Sequence, residues 1–142
     1  ACNCGNKGCL EQYASATGIA RLAKEALESE TEDSVLRTVK NISAKSVFDA
    51  YKEGDVLAGK IVDKFAAYLG NALAVFACVS DPDVFVIGGG VSKAGQVLID
   101  AVEKYYKAHA FTASKETPIK LATLGNDAGI YGAAKLILSK DN

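Results

Sequence analysis

The sequence is poor in proline, contains a single histidine and has no surplus of charge of either sign. Two prolines and 49% apolar residues exclude a disordered chain and indicate one packed domain, or a large part of one. Because 16 basic residues face 17 acidic ones, no basic excess predicts a nucleic-acid or membrane partner. The uncharged stretch 65–79 is shorter than the ~20 residues that a membrane-spanning helix needs, so it predicts a buried helix.

The N-terminus lacks both a methionine and a recognisable signal peptide. Clustered cysteines without a paired framework are typical of a reducing compartment, which predicts a cytoplasmic protein. A candidate metal ligand already stands at position 2, directly after Ala1. We therefore expect this chain to be a fragment whose upstream part is missing.

Three of the four cysteines, Cys2, Cys4 and Cys9, crowd into the first nine residues, with two glycines between them. Their spacing is typical of thiolate ligands and favours a tetrahedral zinc ion. A disulfide joining Cys2 or Cys4 to Cys9 is the alternative. The fourth ligand is expected upstream of the chain. The lone histidine, His109, is expected at the solvated end of a helix.

Hydrophobic periodicity predicts a helical first part. Helices are expected over 9–14 and 17–28. A third helix is expected to start after an N-cap at Ser43, and a fourth to cover 56–79 after an N-cap at Asp55. The acidic run 28–33, between the second and third of these helices, predicts a solvated loop. Cys78, in the charge-free half of the longest helix, is expected to be a buried structural thiol.

The second part of the chain alternates strands and helices. Strands are predicted over 84–87, fully buried, and over 119–124, each followed by a helix, the last one built on apolar residues of 130–138. Two strands are too few for an independent doubly wound sheet. The fold class is therefore α/β, with a sheet completed by other parts of the protein.

Gly88, Gly89 and Gly90 directly follow the first predicted strand. Bare backbone amides at the carboxyl end of a sheet suit anions and nucleotides. A P-loop is excluded because Gln96 and Val97 follow Gly95, and the dinucleotide fingerprint fails because Lys93 occupies the position of its third glycine. A tight turn that only glycine fits is the alternative.

Three blocks of sequence resemble the ROK family of sugar kinases and related repressors, and within it the glucokinases of Gram-positive bacteria. They are CNCGNKGCLEQYAS (2–15), DVFVIGGGVS (83–92) and LGNDAGIYGAA (124–134). The resemblance implies an actin-like, ribonuclease-H-like ATPase-type fold. This chain would be the C-terminal portion of its large domain, with a zinc and sugar loop (1–15), a helical segment (16–80) and a strand–helix–strand–helix segment (81–142).

The resemblance also implies a function, ATP-dependent transfer of phosphate to the 6-hydroxyl of glucose with Mg²⁺. It implies that Cys2, Cys4 and Cys9 hold a structural zinc ion, that Glu11 accepts hydrogen bonds from sugar hydroxyls, and that Gly88–Gly90 lie beside the adenosine end of the nucleotide. The catalytic base would lie upstream, so the chain alone would be inactive, and a homodimer is expected. The alternatives are a sugar-sensing repressor, a kinase for another aldose such as N-acetylglucosamine or N-acetylmannosamine, and a zinc knuckle that binds nucleic acid.

Overall fold

The computed structural model describes residues 1–139, so the last three residues of the predicted segment 81–142 lie outside the described residues. The α-helices are α1 (Glu11–Ala14), α2 (Ala16–Ser29), α3 (Ala44–Lys52), α4 (Val56–Ser80), α5 (Gln96–His109) and α6 (Ala128–Leu138). The strands are β1 (Phe85–Ile87) and β2 (Ile119–Leu121). Short 3-10 helices cover Val35–Thr38, Gly90–Ala94, Thr112–Ser114 and Gly125–Asp127.

Helix α4 is the centre of the core and contacts α1, α2, α3 and α5. It packs most extensively on α5, and the two helices approach so closely at Gly70 that a Cβ atom there would lie 2.8 Å from the carbonyl oxygen of Val102. On α5, Tyr106 is fully buried, and its hydroxyl donates to the carbonyl of Ser114. The tyrosine therefore joins the core to the segment before β2.

Side-chain caps start the helices where the sequence predicts them. The Ser43 hydroxyl accepts from the backbone N–H of Ser46, and the Ser46 hydroxyl accepts in return from the N–H of Ser43, which makes a capping box. Asp55 begins α4 by accepting from the N–H of Ala58 at 2.8 Å. Both predicted N-caps are confirmed.

The two strands are parallel neighbours, with Phe85 opposite Ile119 and Ile87 opposite Leu121, and α5 forms the crossover between them. Both strands are shorter than predicted. The expectation of a fully buried first strand is wrong, because the side chain of Val86 is 61% exposed. Phe85 packs edge-on against Tyr106 of α5, so one face of β1 is covered and the other is open.

Helix α4 is long and apolar enough to cross a membrane by length and composition alone, in contrast to the sequence estimate. Ten of its residues are buried, and they face α2, α3 and α5. The prediction that residues 65–79 form a buried helix is wrong for part of that stretch: Val75 and Val79 are 61% and 82% exposed. Cys78 is exposed and not the buried thiol expected, because the C-terminal end of α4 is only partly covered: Val75 and Val79 on either side of it are exposed as well.

Helix α6 is apolar except for Lys135, yet none of its described residues is buried. Ile130, Leu136 and Ile137 are each at least 70% exposed. The apolar side chains of this helix are therefore not covered by other parts of residues 1–139.

Candidate functional site

The cysteine loop (residues 1–9) brings three thiols together. The Sγ atoms of Cys2, Cys4 and Cys9 all lie within 4.8 Å of one another, and those of Cys4 and Cys9 are 3.5 Å apart. The loop is folded by hydrogen bonds from the N–H of Cys2 to the carbonyl of Asn6 (2.8 Å) and from the N–H of Gly5 to the carbonyl of Cys2 (3.0 Å). These contacts turn the sulfurs toward a common point.

Neighbouring groups shift the pKa values of Cys4 and Cys9 in opposite directions. The backbone N–H of Asn6, followed by the thiols of Cys2 and Cys9, lowers the pKa of Cys4 to about 7. Hydrogen bonds with Cys4 and then Cys2 raise the pKa of Cys9 to about 11. Cys4 therefore ionises before Cys9, and a metal ion that binds both thiols must displace the proton of Cys9.

The donor set fits a zinc ion. Zinc at ~2.3 Å from each of four tetrahedral thiolates holds the sulfurs ~3.8 Å apart, which lies within the observed spread. All three thiols are free, and the separation of Cys4 and Cys9 far exceeds the ~2.05 Å of an S–S bond. Among residues 1–139, no histidine or carboxylate ligand atom joins the cluster. His109 ends α5, where its Nδ1 contacts the carbonyl of Tyr105.

Glu11 is the first residue of α1, two positions after Cys9, and its carboxylate is exposed. Its Oε2 atom accepts from the side-chain amide of Gln12 at 2.5 Å. Its Oε1 atom lies 3.5 Å from the Ser15 hydroxyl and 3.3 Å from the Thr17 hydroxyl. The side chain is therefore oriented by its own neighbours while it still faces solvent.

Helix α1 is held against the core by side chains of α2 and α4. The guanidinium of Arg21, on α2, donates to the carbonyl of Gln12 at 2.7 and 3.3 Å and lies 4.9 Å from the ring centroid of Tyr13. The Tyr13 ring also packs against Tyr68 of α4, with centroids 4.5 Å apart. The short helix that carries Glu11 is thus attached to both α2 and α4.

The glycine run directly follows β1, as predicted, but it does not open α5. It leads into the 3-10 helix Gly90–Ala94, and α5 starts only after Gly95. Gly89 has a backbone φ of +75°, a conformation that residues other than glycine rarely adopt. The run therefore makes a tight turn at the carboxyl end of the sheet, where the 3-10 helix contacts the segment Gly125–Asp127.

A pocket of about 130 Å³ opens between α3 and the 3-10 helix Gly90–Ala94. Phe48 and Val91 give it an apolar lining, and lysines stand around it on both elements: Lys45, Lys52 and Lys93. Complete small-molecule sites usually measure ~300–1,000 Å³, so the pocket has the size of part of such a site.

The Glu11 carboxylate and the glycine run converge on the start of α2. A Cβ atom at Gly90 would lie 3.7 Å from the Cβ of Ala16, the first residue of α2. The residues on either side of Ala16, Ser15 and Thr17, are those that contact the Glu11 carboxylate. Two segments far apart in sequence therefore meet within a few residues of each other.

Sequence reasoning missed three residues of this region. Ser15 caps α2 by accepting from the N–H of Gly18 at 3.0 Å, and a serine directly before an apolar helical pattern is a signal that could have found it. Thr17 and Arg21 carry no such signal, because their roles depend on how α1 folds back onto α2.

These features define an α/β protein whose candidate ligand edge lies at the carboxyl ends of its strands. The chain belongs to the ROK family, whose family model matches residues 1–140. It is 41% identical to a glucokinase of Halalkalibacterium halodurans over 99% of the chain and 44% of the relative. It is 34% identical to an N-acetyl-D-glucosamine kinase of Haemophilus influenzae over 98% of the chain and 42% of the relative.

Solved structures match the fold as well. A ROK family glucokinase from Streptomyces griseus, in complex with glucose and AMPPNP, superposes with a TM-score of 0.84 at 33% identity, over 95% of this chain and 46% of that one. A ROK family transcriptional regulator, a homolog of the E. coli MLC protein, superposes with a TM-score of 0.72 at 29% identity, over 84% of this chain and 30% of that one. The chain therefore shares the actin-like α/β fold of ROK sugar kinases, and spans less than half the length of these relatives.

Proposed function

We propose that this chain is the C-terminal part of an ATP-dependent sugar kinase of the glucokinase type, which transfers phosphate to the 6-hydroxyl of glucose. The observation that carries the proposal is the proximity of the glycine run to the start of α2. A Cβ atom at Gly90 would lie only 3.7 Å from the Cβ of Ala16. Phosphoryl transfer depends mainly on holding a nucleotide and an acceptor hydroxyl side by side. This juxtaposition supports a nucleotide element next to a sugar element.

Glu11 is the residue proposed to bind the sugar. An ionised carboxylate accepts from two neighbouring hydroxyls, and such charge-assisted hydrogen bonds are stronger than neutral ones. Its exposure and its contacts with Gln12, Ser15 and Thr17 support this role. Cys2, Cys4 and Cys9 would hold a structural zinc ion that fixes the loop preceding Glu11.

Gly88, Gly89 and Gly90 are proposed to lie beside the adenosine end of ATP. The pocket between α3 and the 3-10 helix Gly90–Ala94 supports this assignment, because Phe48 and Val91 offer apolar contact and Lys52 and Lys93 offer positive charge near an anion. The third lysine, Lys45, is paired with Asp49, which lines the same pocket. The phosphate-binding loop, the catalytic base and the fourth zinc ligand would come from other parts of the protein. Mg²⁺ would accompany ATP, and the working form would be a cytoplasmic homodimer.

The test is a Glu11→Ala variant of the full-length protein. Loss of two charge-assisted hydrogen bonds, each worth ~1.5–3 kcal/mol, predicts a rise of at least about 100-fold in the KM for glucose. The KM for ATP should stay within about twofold, because Glu11 does not contact the nucleotide element. Glu28→Ala, at an exposed glutamate near the end of α2, is the matched control and should leave both values unchanged. Equal losses for sugar and ATP would show that Glu11 is merely structural.

A sugar-sensing repressor is the second candidate, favoured by the superposition on the ROK transcriptional regulator. A kinase for another aldose is the third, favoured by the similarity to an N-acetyl-D-glucosamine kinase. Phosphate transfer measured on a panel of hexoses and N-acetylhexosamines, together with a duplex-DNA binding assay, separates the three. Sugar-dependent DNA binding without phosphate transfer would favour the repressor.

A further inference from the structure

Glu11 is the end of a chain of hydrogen bonds that begins at the N-terminus of α2. The N–H of Gly18 donates to the Ser15 hydroxyl at 3.0 Å, the hydroxyls of Ser15 and Thr17 are 2.8 Å apart, and the Thr17 hydroxyl lies 3.3 Å from Oε1 of Glu11. Ser15 is 3.5 Å from the same oxygen, at the limit of hydrogen-bonding distance. These atoms form a continuous path from backbone to carboxylate.

The distances to the carboxylate favour one direction for this path. Each hydroxyl has one hydrogen to donate and two lone pairs that accept. Either hydroxyl could therefore be the donor between Ser15 and Thr17, and the contact to Glu11 is shorter from Thr17 (3.3 Å) than from Ser15 (3.5 Å). The shorter contact favours Ser15 donating to Thr17 and Thr17 donating to Glu11. Hydrogen bonds in such a series polarise one another and strengthen the last one.

We infer that Thr17 is a positioning residue for sugar recognition, because its hydroxyl is the terminal donor that orients the Glu11 carboxylate. This inference rests on the proposed function. With Thr17 on Oε1 and Gln12 on Oε2, each carboxylate oxygen keeps a lone pair for one incoming hydroxyl. A pair of neighbouring sugar hydroxyls would fit these two acceptors.

The packing around α1 makes the orientation rigid. A Cβ atom at Gly18 would lie 2.9 Å from the backbone of Gln12, so α1 rests directly on the start of α2. Arg21, one turn further along α2, binds the Gln12 carbonyl. The donor Thr17 and the acceptor Glu11 are therefore held by the same two helices, with little freedom to separate.

The test compares Thr17→Val and Thr17→Ser in the full-length protein. Valine has the shape of threonine without the hydroxyl, and position 17 is exposed, so the fold should be preserved. We expect Thr17→Val to raise the KM for glucose about five- to tenfold, with the KM for ATP unchanged, and Thr17→Ser to restore the wild-type value. Ser29→Ala, which removes a hydroxyl at the other end of α2, is the control and should have no effect.

A double-mutant cycle separates this inference from the proposed function. If Thr17 acts through Glu11, Thr17→Val should have no further effect in a Glu11→Ala background. An unchanged KM for glucose in Thr17→Val, beside a large effect of Glu11→Ala, would overturn the inference and leave the proposed function intact. An equal effect of Thr17→Val in both backgrounds would also overturn it. No effect of Glu11→Ala on glucose would overturn the sugar role of Glu11 itself.

Discussion

Two irregular segments lie on either side of α2, and they are held in place differently. The cysteine loop (residues 1–9) has two backbone hydrogen bonds of its own and side chains that are mostly exposed. The Arg37 loop (residues 30–43) is fastened by several side chains. Arg37 donates to the carbonyls of Leu27, Glu30 and Glu32 at distances between 2.6 and 3.1 Å.

The Arg37 loop is also anchored at its centre. Leu36 is only 1% exposed, and the neighbouring N–H of Val35 donates to Asp55, the N-cap of α4, at 2.8 Å. The loop therefore closes with groups that the chain itself supplies. The cysteine loop instead presents three sulfurs within 4.8 Å of one another, a donor set that a metal ion could bind.

Removal of the metal should have the largest effect. Structural zinc contributes ~10–16 kcal/mol of apparent binding free energy. Ordering the loop backbone costs ~1–2 kcal/mol per residue, so the total cost over the whole loop is of the same order. We expect the full-length protein to contain about one zinc ion per chain, and Cys4→Ser to lose it together with sugar affinity. Metal analysis and hydrogen exchange of residues 1–9 measure the two effects.

Arg37→Ala is the reciprocal control for that experiment. It should speed exchange in the Arg37 loop and leave the zinc content unchanged, because the guanidinium contacts no residue of the cysteine loop. Full sugar affinity in metal-free Cys4→Ser would contradict the role of the ion as a scaffold for Glu11.

Truncation of Leu36 should have the next largest effect. Leu36→Ala leaves a cavity in the core, and such changes cost ~2–5 kcal/mol. The free energy of local opening from hydrogen exchange of the Arg37 loop, together with the Tm, measures it. Val35→Ala, at the half-exposed neighbour, is the matched control and should change stability by less than ~0.5 kcal/mol. Similar values for the two variants would show that the Arg37 loop is not anchored by burial.

Acid should weaken the Arg37 loop by the smallest amount. Partial burial alone would raise the pKa of Asp55, but hydrogen bonds from the N–H of Ala58, the Ser34 hydroxyl and the N–H of Val35 outweigh it and hold the pKa below its usual value. A depressed folded-state pKa means that the stabilisation is present above the unfolded-state value and is lost as the pH falls through the folded-state one. Solvent screening keeps the change below the ~1 kcal/mol typical of an N-cap.

Asp55→Asn keeps the cap and removes the charge. The free energy of unfolding, measured with urea, should therefore fall less steeply as the pH is lowered from about 5. The flattening should be partial, since hydrogen bonds from Tyr105 and Lys104 also lower the pKa of Asp63. An unchanged pH profile in Asp55→Asn would show that the carboxylate does not contribute.

Much of the local structure could be predicted from the sequence because its causes are local. The N-caps at Ser43 and Asp55, the helix of α4 and the glycine turn after β1 depend on residues within a few positions of each other. The burial of Leu36 and the exposure of Cys78 could not be predicted, because they depend on which elements pack against them. The exposure of α6 and of Val86 could not be predicted for the same reason.

The candidate site divides in the same way. The sequence by itself determined the three thiols, the carboxylate that follows them and the glycines after a strand, because residue type and spacing define those chemistries. Only the tertiary structure decided that the glycine run reaches the start of α2, and that Ser15, Thr17 and Arg21 fix Glu11 and its helix. The physical reason is that spacing along one chain fixes neighbours within a turn or two, whereas contacts between distant segments are set by how the helices pack.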